Sequence, residues 1–119
     1  MIEELASRVF CVRNEAHKAH WSTKYYAAHV ALGDFYDGVI DSVDKVVEAY
    51  QGTFGLINVK QVEDYDDYDA DIVKHIRETA DWISENKSEI AKDNGTVINL
   101  IEDLLSTFYT ALYKLENLV

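Results

Sequence analysis

Residues 26–50 read YAAHVALGDFYDGVIDSVDKVVEAY. Leu32, Phe35, Val39, Val43, Val46 and Tyr50 recur at steps of three and four, so on a helix they form one stripe, with His29, Gly33, Tyr36, Ile40 and Val47 beside it. An apolar face of that width implies burial on more than one side. The spacing predicts a helix from about Tyr26 to Tyr50, with Gly52 as its stop.

Outward from this segment, three more stretches carry the same period. A first helix is expected from about Ile2 to Ser22, on Ile2, Leu5, Val9, Val12, Ala16, Ala19 and His20. Residues 51–69 break the pattern with Gly52, Gly55 and the acidic run Glu63, Asp64, Asp66, Asp67 and Asp69, interleaved with Tyr65 and Tyr68. A third helix is expected from about Ala70 to Ile90, on Ile72, Ile76, Ala80 and Ile83, and a break follows at Asp93, Asn94 and Gly95. Thr96 is the expected N-cap of a fourth helix carrying Val97, Ile101, Leu104, Phe108, Ala111 and Leu115.

The 119 residues include no proline, and they suffice for one domain with a single core. Short breaks make helices 1 and 2, and helices 3 and 4, antiparallel neighbours. The middle connector is longer: roughly 18 residues at up to about 3.3 Å each can run the length of a helix of about 25 residues at 1.5 Å per residue. The expected fold is therefore all-α, an antiparallel four-helix bundle whose connector permits a long crossover between helices 2 and 3, as in ferritin-like bundles.

Twenty-two acidic residues against 11 Lys and Arg give a net charge of −11, and the basic residues are scattered along the chain. The phosphate backbone repels such a chain, so DNA binding is disfavoured, while a cation or a basic protein surface is a suitable partner. No run is long and apolar enough for a membrane span, and the N-terminus does not read as a secretion signal, so the expected compartment is the cytoplasm. The single cysteine, Cys11, lies among Val9, Phe10 and Val12 and reads as a small core residue.

Residues with ligand chemistry gather between His17 and Glu48. His17 and His20 are three apart and Asp44 and Glu48 four apart, so each pair projects from one helical face. The two carboxylates border the valines at 43, 46 and 47, where an acid wants a cation or a hydrogen-bond donor. His29 and Asp44 are about 22 Å apart along one straight helix, so an ion shared between them needs a second chain, and two antiparallel copies of helix 2 about a two-fold axis would supply it.

The run Ala19-His20-Trp21-Ser22-Thr23, followed by His29, Phe35-Tyr36-Asp37, Asp41, Asp44, Glu48 and Gly52, resembles the signature of the Dps-like mini-ferritins of the ferritin-like superfamily, in its short phage-type form. That resemblance implies oxidation of ferrous iron by oxygen or peroxide at a two-fold intersubunit site, with iron stored or detoxified in a homo-oligomer, a dimer at least and up to a dodecamer. It makes His20, His29, Asp44 and Glu48 the candidate iron ligands, with His17 and Asp34 as accessory ones. Imidazole and carboxylate suit iron. Where the family has an acid four residues after its second histidine, this sequence has Gly33.

A second reading treats the same bundle as a non-catalytic interaction protein whose acidic surface docks on a basic host or virion protein, or imitates nucleic acid. Gly33 separates the two, because a centre lacking one carboxylate holds a second iron poorly. On either reading Trp21 plugs the corner between helices 1 and 2, His75 lies on the surface, and Tyr25, Tyr26 and Tyr36 serve packing or an interface.

Overall fold

The computed structural model describes residues 1–60 and 71–119. Helices α1 (Ile2–Ser22), α2 (Tyr26–Phe54), α3 (Ile72–Ile90) and α4 (Gly95–Asn117) account for most of them, with no strand among the described residues. The acidic run from Glu63 to Asp69, and the expected start of the third helix at Ala70, lie outside the described residues.

The expected stripes face one shared core. Leu32, Phe35, Val39, Val43, Val46 and Tyr50 of α2 are all buried, as are Leu5, Val9, Val12 and Ala16 of α1 and Ile101, Leu104 and Phe108 of α4. Phe35 and Phe108 meet edge to face, centroids 5.1 Å apart at 78°, at the α2–α4 contact. Aromatic pairs favour that geometry over a face-to-face sandwich. α1 packs on α2 and α3, and α4 packs on α2 and α3, so the four helices form a square in section.

Side chains at the helix ends fix relative directions. Arg77, early in α3, pairs with Glu116 at the end of α4, and Lys114 reaches Asp34 of α2 at 3.6 Å. At the opposite end, the Lys92 ammonium in the α3–α4 turn sits 4.9 Å from the Phe54 ring centre and 5.5 Å from that of Tyr50. Arg8 of α1 lies over Trp82 of α3 at 4.3 Å.

Two boundaries differ from the sequence reading. α2 continues through Gly52 to Phe54 and stops at Gly55, whose φ of 103° is a conformation that side chains disfavour. The N-cap of α4 is Asn94, whose side chain accepts from the Val97 amide at 3.0 Å, so Thr96 lies inside the helix. Asp71 caps α3 in the same way, accepting from Lys74 N at 3.1 Å.

Two side chains also lie elsewhere than expected. His75 is buried at 6% exposure, because it shares the inward row of α3 with Ile76, Thr79, Ala80 and Ile83. Trp21 is 69% exposed and plugs nothing, since the α1–α2 corner closes through histidines instead. Cys11 is half-buried, at the edge of the core.

Candidate functional site

The chain leaves α1 at Ser22 and enters α2 at Tyr26, and His20 and His29 close that corner. His20 Nδ1 lies 2.6 Å from the His29 carbonyl oxygen, and His29 Nδ1 lies 2.8 Å from the His20 carbonyl oxygen. A carbonyl only accepts, so both rings carry their proton on Nδ1 and donate with it. The rings stack with centroids 3.7 Å apart and 17° between planes.

Gly33 makes this clasp possible. A Cβ there would stand 3.1 Å from His20 Cε1 and 3.3 Å from its Nδ1. The glycine is thus a seat for an imidazole ring, which gives it a packing reason independent of any carboxylate.

Next to the clasp, His17 stacks on Tyr36 at 3.9 Å and 12°, and Trp21 tilts against His17 at 4.5 Å. The Arg13 guanidinium lies 5.3 Å from the Tyr36 ring centre. Every member of this row belongs to the outer α1–α2 face, and Trp21 leaves most of its indole in solvent.

Of the candidate ligands, the structure brings His17, His20 and His29 together. Asp34, Asp44 and Glu48 are all exposed on α2, so the expectation that Asp44 and Glu48 border the buried stripe does not hold. Among the described residues, no three His, Cys, Asp or Glu side chains gather closely enough to hold a metal ion. The stacked pair is itself a poor chelate within one chain. Nearly parallel rings send their in-plane lone pairs side by side, whereas an ion at about 2.0–2.1 Å from each nitrogen needs them to converge. A site joining these histidines to Asp44 or Glu48 would still take a second chain, as helix length requires.

At the same end of the bundle the surface becomes apolar. Tyr25 is 73% exposed, Tyr26 81% and Tyr113 60%, with Val30 and Leu118 also in solvent. Tyr26, Ala27, Val30 and Ala31 of α2 face Lys114, Asn117 and Leu118 across a groove of about 590 Å³. A shallower depression of about 200 Å³ continues along the α2–α4 seam, sharing Ala31 and Lys114 and adding Asp34, Ser106, Thr107 and Thr110. Val30, Tyr113 and Leu118 did not stand out in the sequence. The available signal was their being large apolar residues off the buried stripe of their own helix. No helix of the described residues is long and apolar enough to cross a membrane.

The family described as "Family of unknown function (DUF5856)" matches residues 20–115. The chain is 31% identical over 101 residues to "Uncharacterized 14.6 kDa protein in mobD-ri intergenic region" of Enterobacteria phage T4, an alignment covering 84% of this chain and 76% of that protein. No solved structure matches. These findings overturn the resemblance to Dps-like mini-ferritins: the family matched over most of the chain is a different one. The resemblance rested on His20, His29 and the residues after them. In the structure the histidine spacing serves a corner clasp and Gly33 serves ring packing.

Proposed function

For a chain that belongs to the family of unknown function DUF5856, we propose the role of an acidic, non-catalytic interaction protein of phage type, docking on a basic protein of the host or the virion. The observation that carries this reading is the apolar end of the bundle, where Trp21, Tyr25 and Tyr26 around the α1–α2 corner are each at least 69% exposed. Exposed aromatic residues gathered in one region mark contact surfaces, and Tyr and Trp are the residue types that dominate binding energy when such surfaces are covered. A net charge of −11 selects positively charged partners and speeds their encounter. A basic surface built for nucleic acid is one such partner. The relative from phage T4 supports a phage setting.

In this reading a long crossover joins α2 to α3. Support comes from the ends: Lys92 places the α3–α4 turn beside the end of α2, whereas Arg77 places the start of α3 beside the end of α4. The end of α2 and the start of α3 then lie at opposite ends of the bundle.

The test is site-specific photo-crosslinking of the whole chain in infected cells, with the photoreactive residue at Trp21, at Tyr26 or, as a control, at Glu85 on α3. The expected result is one discrete adduct with a basic protein from Trp21 and Tyr26 and none from Glu85. Equal, diffuse labelling from all three positions would overturn the reading. So would ferrous iron oxidised by oxygen or peroxide with ferric absorbance that disappears in Asp44→Ala or Glu48→Ala.

A further inference from the structure

We infer that the trough between α2 and α4 binds a basic amphipathic helix of another protein, a deeper claim that rests on the interaction reading above. Its upper part is the apolar groove at Tyr26, Val30 and Leu118, and its continuation reaches Asp34 and Thr110 through the shared Ala31 and Lys114. Small side chains floor it: Ala27, Ala31, Ser106 and Ala111. Two helices meeting over small residues leave a channel that a third helix can enter, as in helix-in-groove recognition.

Charge identifies the occupant. Below Tyr26 and Val30 the outer row of α2 continues as Asp34, Asp37, Asp41, Asp44 and Glu48, all exposed. Steps of three and four keep them on one stripe about 21 Å long, at 1.5 Å per residue. Asp103 is exposed on α4 one turn before Thr107, on the edge that lines the trough. The cations beside this row are Lys45 and Lys114, and Lys114 is engaged with Asp34. A second copy of the chain fits poorly, because two chains each carrying −11 would lay these carboxylate rows near one another. An occupant with apolar residues on one edge and Lys or Arg along its flanks satisfies both parts, the groove through its apolar edge and the row through its cations.

The probe is an amidated Leu/Lys peptide of about five helical turns, with Leu at a 3.6-residue period, read by fluorescence anisotropy against the full-length protein. Controls are the same composition scrambled to destroy the period, and a Leu/Glu analogue. The expected result is saturable binding of the periodic Leu/Lys peptide alone. Val30→Asp should weaken it about tenfold or more, and Asp41→Asn several-fold, while Tyr109→Asp on the α3 side of α4 changes nothing. The Asp41→Asn effect should fade as salt rises toward about 0.3 M, and the Val30→Asp effect should persist.

Equal binding of the scrambled peptide, equal loss in Tyr109→Asp, or no binding at all overturns the inference. So does sedimentation showing a homodimer that Val30→Asp dissolves. If the peptide fails while photo-crosslinking at Tyr26 still yields a discrete basic adduct, the interaction reading stands and only the helix-in-trough claim falls. If both fail, both fall.

Discussion

Gly33 is where two opposed effects meet at one residue. Alanine there would gain up to about 1 kcal/mol of helix propensity, but its Cβ would press on the His20 ring at 3.1 Å. That ring cannot yield freely, being stacked on His29 and bonded to the His29 carbonyl. Overpacking costs about 1–3 kcal/mol, so Gly33→Ala should lower stability by about 1 kcal/mol net in urea unfolding. In a His20→Ala background the sign should reverse, and Gly33→Ala should stabilise by about 0.5–1 kcal/mol. A destabilising Gly33→Ala in both backgrounds would show that the imidazole is not the obstacle. The sequence alone could not show this, because nothing within α2 reveals that a ring from α1 lies on the glycine. A missing carboxylate and a packing seat are both written as Gly.

At the scale of elements, the apolar period placed all four helices, because each stripe had one core to face. Helix ends were read less well. Asn94 and Thr96 are both good N-cap types two residues apart, and the choice depends on how the chain turns through Lys92 and Asp93, which have φ of 51° and 59°. Asn94→Ala should therefore cost about 1 kcal/mol, and Thr96→Ala only a few tenths, in the same unfolding assay. The outer face of α2 invites a second test. Asp37 lies three residues after Asp34 and four before Asp41, all exposed. Like charges at these spacings are mutually destabilising by about 0.2–0.5 kcal/mol per pair, and opposite charges gain about as much. Asp37→Lys should accordingly stabilise the protein by about 0.5–1 kcal/mol, raising the urea midpoint with the slope unchanged. The candidate site was legible at this scale only in part: the histidines and acids stood out by type, but their exposure depended on which side of α2 the neighbours cover.

At the scale of the molecule, ion pairs among the described residues include partly exposed ones between close neighbours on one helix, such as Arg8 with Glu4 and Lys18 with Glu15. Such pairs contribute little, with a median of about 0–1 kcal/mol each. Self-repulsion from a charge of −11 outweighs them. The thermal midpoint should therefore rise as sodium chloride increases from about 10 mM to 300 mM, where the screening length falls well below 10 Å. A midpoint that falls with salt would mean the exposed pairs dominate. The core sets the larger scale. Phe108 is fully buried against Phe35, and Phe108→Ala should cost about 3–5 kcal/mol, a large share of the roughly 5–15 kcal/mol that holds a domain together.

The square arrangement of the helices has one more consequence. Among the described residues no diagonal contact joins α1 to α4 or α2 to α3. Each helical hairpin, α1–α2 and α3–α4, thus meets the other only along two seams, one of them centred on Phe35 and Phe108. Cutting the chain within residues 61–70 would turn a folding reaction into a bimolecular one. The two halves, supplied as separate polypeptides, should recombine into the same bundle, with a stability that depends on their concentration.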